Sequence, residues 1–287
     1  MDSIRLKARA KINLGLDVLG KRDDGYHEVR MIMQTVGIYD RIIIKKIPED
    51  EIRINSNLFF LPVNENNLIY KAARMMKNEY NLKEGVEIDL NKFIPVAAGM
   101  AGGSTDAAST LFGMNKIFDL GISQSKLMEM GLKIGADVPY CIMRGTALAE
   151  GIGEKLTRLT PMPHCWLIVA KPPINVSTKL VYESLDMGGI SKHPDIDGIM
   201  DAIKRGDVEG VAQKMGNVLE GVTIPLYPVI DSIKKQMLKN GAIGAMMSGS
   251  GPTVFGIFPD EQTALGCQAV LKAQGEARQV YITETFN

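Results

Sequence analysis

The segment Pro95–Ala108, PVAAGMAGGSTDAA, constrains the fold more than any other stretch of this 287-residue chain. It follows an alternating strand pattern, Val86–Leu90, and opens a helical pattern, Ser104–Phe118, whose first residues are small. Gly99, Gly102 and Gly103 let the backbone approach a partner without a Cβ in the way. Ser104 and Thr105 bring hydroxyls to the helix start, where free N–H groups and the helix dipole favour an anion such as phosphate. A tight strand-to-helix closure would also use such glycines, so the segment alone leaves both readings open. No Lys-Ser or Lys-Thr follows the glycines, so this is not a GxxxxGK[ST] loop. Nor is it GxGxxG, which removes the dinucleotide-dehydrogenase reading.

Two other segments carry information. Met247–Phe258, MSGSGPTVFGIF, reads as a glycine turn between the strands Gly244–Ser248 and Thr253–Phe258. Gly135–Tyr140, GADVPY, sets Asp137 just before a proline after a helix, a place where an Asp usually caps or turns the chain. Around these, Ser3–Ala10, Ile12–Leu19, Arg41–Ile47, Cys165–Ala170 and Gln279–Thr283 read as strands. Leu68–Tyr80, Ser123–Ile134, Asp197–Arg205, Val208–Met215, Val229–Lys239 and Glu261–Ala273 read as helices. Paired strands with separate helices suggest an α+β fold rather than a doubly wound parallel sheet. At roughly 100–200 residues per domain the length suggests two domains, with a soft boundary near residues 155–163.

Composition narrows the class. Lys+Arg and Asp+Glu both number 33, so no global positive field draws the chain to nucleic acid or anionic lipid. No apolar run reaches the ~18–20 residues that span a bilayer, and the first residues lack a signal-peptide pattern. Cys141, Cys165 and Cys267 are far apart and never form CxxC, which indicates neither a disulfide frame nor a zinc ribbon. A cytoplasmic protein is expected, as a monomer or weak homodimer without nucleic-acid or membrane partners.

The order PVAAGMAGGSTDAA, GADVPYC, SGSGPTVFG resembles the small-molecule kinases of the GHMP family, over essentially the whole chain. Ala8–Glu28, ARAKINLGLDVLGKRDDGYHE, sharpens the likeness. It resembles the opening of the members that phosphorylate a cytidine-diphosphate-linked methylerythritol in non-mevalonate isoprenoid synthesis. One departure is visible: Met100 and Ala101 stand where the commonest family form, GLGGGS, has Leu and Gly. The resemblance implies the two-domain GHMP fold, with a ribosomal-protein-S5-domain-2-like part at residues 1–158 and a ferredoxin-like part at 159–287.

It also implies a division of labour. The loop of Pro95, Val96, Ala97, Ala98, Gly99, Met100, Ala101, Gly102, Gly103, Ser104 and Thr105 would hold the triphosphate of ATP. Asn67 and Lys92 would lie near the adenosine, although a helix N-cap and a surface lysine are the ordinary alternatives. No carboxylate cluster marks a protein-built metal cage, so Mg2+ would arrive with the nucleotide. Asp137 would face the acceptor hydroxyl as base or orienter; with an ordinary pKa near ~3.9 its position would matter more than its basicity. Lys11 would stabilise charge on the transferred phosphoryl group. Tyr26, His27 and Tyr182 would read the cytosine by aromatic faces and a hydrogen-bonding edge, with Asn13 as a further polar contact. His164 and His193 receive no role. Another GHMP kinase, for mevalonate or homoserine, would not need DGYHE; a silent regulator of this fold would be expected to lose Lys11 or Asp137.

Overall fold

The computed structural model describes residues 2–190 and 192–287. In chain order the elements are β1 (Ser3–Lys21), β2 (His27–Ile47), β3 (Ile52–Ser56), α1 (Leu68–Glu79), β4 (Gly85–Asn91), α2 (Gly102–Ile117), α3 (Gln124–Leu132) and α4 (Val138–Met143). Then come β5 (Thr146–Gly151), β6 (Lys155–Arg158), β7 (Trp166–Lys171), α5 (Thr178–Glu183), α6 (Ile196–Arg205), α7 (Val208–Lys214), β8 (Gly216–Asn217) and α8 (Glu220–Leu226). The chain closes with α9 (Val229–Lys239), β9 (Gly244–Met247), β10 (Val254–Phe258), α10 (Glu261–Gln274) and β11 (Gln279–Glu284).

Two compact units interleave along the sequence. The first takes the chain up to Ala10, Ile38–Val96 and Ala101–Arg144; the second takes Lys11–Gly37, Ala97–Met100 and Gly145–Asn287. In the first, β4 pairs antiparallel with the far half of β2, Ile44 opposite Ile88, and β3 joins β4 in parallel. Ile42, Ile44, Val86 and Ile88 are fully buried there, as are Ile69 and Met76 of α1 and Leu111 and Met114 of α2. Helices α1, α2 and α4 pack in that order, with α3 against α4. Burying these side chains supplies the main stabilisation, about 1.5–3 kcal/mol for each large one.

In the second unit, β5 pairs antiparallel with the near half of β2 and β6 with β5, while β8 runs parallel to β1. A separate four-stranded antiparallel sheet has the order β11-β7-β10-β9. The run read as CWLIVA forms β7 from Trp166, which is half-buried, while Leu167, Ile168, Val169 and Ala170 have no exposed surface; Cys165 precedes the strand. Helices α9 and α10 cover this sheet with Ile230, Ile233 and Met237, and with Ala264, Cys267 and Leu271. The α+β expectation holds.

Helix starts follow local chemistry. Ser123 Oγ accepts from Lys126 N at 3.2 Å to open α3, and Asp195 and Asp260 cap α6 and α10 in the same way. Gly206 and Gly275 end α6 and α10 in left-handed backbone. Strand lengths depart more. Ser3–Ala10 and Ile12–Leu19 are one 19-residue strand, because the lysine between them is buried and paired rather than solvated. The strand read at Arg41–Ile47 begins at His27, through a segment (MIMQTVG) whose methionines and glycine hide its β character. The glycine group at 145–153 covers β5 and the turn into β6, with Gly151 at the end of β5 and Gly153 in the turn, both at positive φ.

Candidate active site

The glycine loop is built from left-handed residues at alternate positions: Ala97 at φ 51°, Gly99 at 69° and Ala101 at 55°. Alternation of this kind turns successive N–H groups toward one side and makes an anion-binding concavity. Ala101 occupies the N-cap position of α2, where a non-glycine residue costs roughly 1–2 kcal/mol of local strain. It offers no side-chain cap to the first-turn N–H groups of α2.

The glycines differ in what demands them. A Cβ on Gly99 would collide with the Ser248 carbonyl oxygen, and one on Gly102 would lie 3.2 Å from Lys92 Nζ and 3.1 Å from Ile94. Both positions are fixed by packing. Gly103 is different: it is exposed, and a Cβ there would meet only Leu68 Cδ1 at an ordinary 3.5 Å. The protein itself would accept alanine, a better helix former by about 1 kcal/mol. What Gly103 leaves open is the approach to the helix N-terminus. Ser104 is half-buried and Thr105 is buried in the same turn.

Beneath that turn lies a buried ion cluster. Lys92 Nζ donates to Asp106 Oδ2 at 2.7 Å and, in a short contact, to Asp40 Oδ2. Asp40 Oδ1 also accepts from the backbone N–H of Phe93 (2.6 Å) and Ile94 (2.8 Å). Burial works against the charge of Lys92, but Asp106 and Asp40 outweigh it and hold the ammonium above its ordinary value. Burial, joined by repulsion from Asp40, lifts Asp106 well above the usual carboxylate range against the pull of Lys92. Lys92 is therefore no surface lysine; it is 8% exposed and tethers the loop entry to α2. Asp40 and Asp106 escaped the sequence reading. Their one signal is a charged residue amid small and apolar neighbours at a core-facing position, which asks for a buried cation.

Lys11 lies on β1, 5% exposed, its Nζ donating to Asn13 Oδ1 at 2.8 Å and its N–H to Met100 O at 3.2 Å. Asn13 is fully buried and gives its amide to Met31 Sδ at 3.2 Å. Asp137 stands at the start of α4, where its side chain makes no capping bond and its backbone oxygen accepts from Cys141 N at 3.1 Å. The six-residue helix is set instead by Pro139 near its start. Asn67 does cap α1: its Oδ1 accepts from Ile69 N at 2.9 Å and its Nδ2 donates to Pro62 O at 2.7 Å.

The DGYHE turn is knit by Arg22, which pairs with Asp24 at 2.9 Å and Glu28 at 3.0 Å and donates its backbone N–H to Tyr26 O. His27 opens β2 from this turn and meets Tyr182 of α5, ring centroids 5.2 Å apart at 40°. Residues 155 apart in sequence thus share one aromatic step. Partial burial, with the nearby Lys21 charge, lowers the His27 pKa and keeps the ring neutral at neutral pH, one nitrogen a donor and the other an acceptor. Tyr26, on the turn itself, is 60% exposed.

Against known proteins, the profile of the GHMP kinases N terminal domain matches residues 67–145 and that of the GHMP kinases C terminal region matches 199–277. A 4-diphosphocytidyl-2-C-methyl-D-erythritol kinase of Lachnospira eligens is 71% identical over 286 residues, covering 100% of this chain and 99% of that one. The enzyme of the same name from Clostridioides difficile is 50% identical over 287 residues, covering 99% and 96%. A crystal structure of 4-(cytidine 5'-diphospho)-2C-methyl-D-erythritol kinase superposes with a TM-score of 0.86 at 29% identity, covering 99% and 100%. A homoserine kinase from Cytophaga hutchinsonii shares the fold at a TM-score of 0.78 and 19% identity, covering 99% and 95%. With its uncapped helix behind a glycine loop and its full-length likeness to these enzymes, the chain belongs to the GHMP kinases, among the 4-diphosphocytidyl-2-C-methyl-D-erythritol kinases.

Proposed function

We propose that this kinase transfers the γ-phosphoryl group of ATP to the 2-hydroxyl of 4-diphosphocytidyl-2-C-methyl-D-erythritol, in non-mevalonate isoprenoid precursor synthesis. The observation that carries the reading is Gly103, a glycine that packing does not require, at the uncapped N-terminus of α2 in a chain 71% identical to an enzyme of that name. The loop from Pro95 to Thr105 receives the triphosphate through backbone N–H groups, with the Ser104 and Thr105 hydroxyls beside it. These donors are hydroxyls and amides, chemistry suited to a nucleotide that brings its own Mg2+, which when bound neutralises phosphate charge. Asn67 and Lys92 are assigned to the adenosine side by the family resemblance; Asn67 caps α1, and Lys92, itself buried, would act through the loop entry it tethers.

Asp137 orients the acceptor hydroxyl and takes its proton as the O–P bond forms and ADP leaves. Lys11, pinned by Asn13, places a cation at the growing charge, where a fixed donor in a water-poor setting acts without reorganisation. His27 and Tyr182, with Tyr26 at the turn and Asn13 on β1, read the cytidine end. The accompanying readings are a cytoplasmic monomer or weak homodimer that binds neither nucleic acid nor membrane, with domains at 1–158 and 159–287. No helix among the described residues is long and apolar enough to cross a membrane.

A coupled ADP-release assay offered the cytidine-linked alcohol, mevalonate, homoserine and galactose tests the reading; turnover of one of the last three and not the first overturns it. Asp137→Asn should lower kcat by about 10²–10⁴-fold with ATP affinity within a few-fold. More than a tenth of wild-type turnover in that variant would remove Asp137 from the role.

A further inference from the structure

The sequence singles out the turn Ser248–Pro252, yet the phosphate loop, Lys11 and Asp137 account for the chemistry without it. Its contacts give it another task. A buried asparagine, Asn217 of β8, donates both amide hydrogens to this turn, to Met247 O at 2.9 Å and Gly249 O at 2.8 Å. Asn217 Oδ1 accepts from Leu219 N at 3.0 Å, so the carboxamide cannot flip without losing all three bonds. The turn in turn holds the phosphate loop. Ser248 Oγ donates to Gly99 O at 3.1 Å, and the Ser248 carbonyl sits where a Cβ of Gly99 would be.

One residue further, Met100 O accepts the N–H of Lys11. The chain of contacts also closes on the other side. Asn217 pairs in register with Leu16 of β1, and Val218 N donates to Leu16 O at 3.1 Å. Lys11 and Asn13 lie on that same strand, and a Cβ on Gly249 would lie 3.6 Å from Asn13 Oδ1, the atom that holds Lys11 Nζ. The ring runs from β1 to Asn217, to the turn, to Gly99–Met100, and back to Lys11.

We infer that Asn217 is a positioning residue for phosphoryl transfer, acting through the Ser248–Gly251 turn and the Gly99–Met100 backbone to set Lys11. The inference rests on the proposed role of Lys11. A carboxamide is required because only its NH₂ can donate to two carbonyls while its oxygen accepts an N–H. The isosteric Asn217→Asp puts one carboxylate oxygen, in place of the NH₂, against both Met247 O and Gly249 O and pushes the turn, and with it Gly99, away.

The test is a double-mutant cycle on the full chain, following phosphoryl transfer from ATP to the cytidine-linked alcohol. Asn217→Asp should lower kcat about 10- to 100-fold, with KM for the alcohol within about three-fold of wild type. In a Lys11→Met background, measured with labelled ATP over long incubation, the same substitution should cost less than about two-fold, because residues acting as a unit are not additive. Losses that multiply, or a change confined to KM, overturn the inference. Ser248→Ala, a milder cut in the same ring, runs through the same cycle and decides the matter if Asn217→Asp does not fold. A Lys11→Met variant of near-normal kcat would instead sink the assignment of Lys11, which separates the two failures.

Discussion

The base beneath the phosphate loop and the aromatic step at His27 are built on opposite terms. Under α2, one ammonium and two carboxylates are sealed from water, with Lys92 8% and Asp106 3% exposed. His27 and Tyr182, by contrast, are both only half-buried, their ring centroids 5.2 Å apart and their planes tilted by 40°. The buried cluster ties the loop entry to α2 through charge-assisted hydrogen bonds. On the proposed function, a base would bury the ring surface that remains exposed at the aromatic step. The difference teaches that the cluster under α2 is fixed by burial and charge pairing, whereas the aromatic pair is a half-buried surface that could still bury a partner.

Removing the cation of the buried cluster should have the largest effect. Lys92→Met strands two carboxylates away from water, and breaking a buried pair in this way costs about 3–5 kcal/mol. Thermal melts should show a large loss of stability before any kinetic change can be read. A Tm within a degree or two of wild type would break the comparison, because the cluster would then be contributing nothing to the fold.

Gly103→Val should come next, and it should act on the ligand rather than the fold. Nothing in the protein opposes a Cβ at that position, so the Tm should stay close to wild type while a branched side chain blocks the helix N-terminus. Calorimetry should find ATP affinity lower by more than ten-fold, about 1.4 kcal/mol or more. Unchanged affinity in the folded variant would move the phosphates elsewhere.

At the cytidine end, His27→Ala should raise KM for the cytidine-linked alcohol by about 5- to 150-fold, from about 1–3 kcal/mol for polar edges left unpaired. ATP affinity should not change. Tyr182→Ala should cost less, since it removes stacking area and strands no polar group. The wild-type enzyme should also discriminate against a uridine-linked analogue, and His27→Ala much less so. Because His27 is held neutral by a lowered pKa, the rise in KM on acidification should begin below its ordinary ~6.5. A wild type indifferent to the two analogues would remove the base-reading role.

The smallest effect sharpens the picture of the cluster. Asp106 is raised above its unfolded value, so folding favours its protonated form; that contribution is complete at low pH and lost as pH rises through the folded value. Asp106→Asn keeps an acceptor for Lys92 but removes the titration. Its stability relative to wild type should therefore improve as pH is raised from acid toward alkaline conditions. Parallel stability–pH curves for the two proteins would show that Asp106 does not titrate with folding.

Much of the fold was legible because its signals are local. The caps at Ser123 and Asn67, the apolar run of β7 and the helical spacing of α9 depend on residues a few positions apart. The glycine loop and the DGYHE stretch were readable for the same reason, since each packs its chemistry into adjacent residues. Short strands β3, β6 and β8 were not, because a strand of two to five residues exists only through its partner.

By itself, then, the sequence determined the α+β class, the glycine loop ahead of α2, the family and the candidates Lys11, Asp137 and His27. Tertiary structure alone decided that Lys92 is sealed between Asp40 and Asp106, 52 and 14 residues away. It decided likewise that His27 meets Tyr182, and that Asn217 fixes a turn 30 residues further on. The physical reason is the range of the forces. Periodicity, capping and backbone freedom act over a few residues and can be read along a line. Desolvation and the pairing of buried polar groups depend on which surfaces the folded chain brings together, and no local pattern records that.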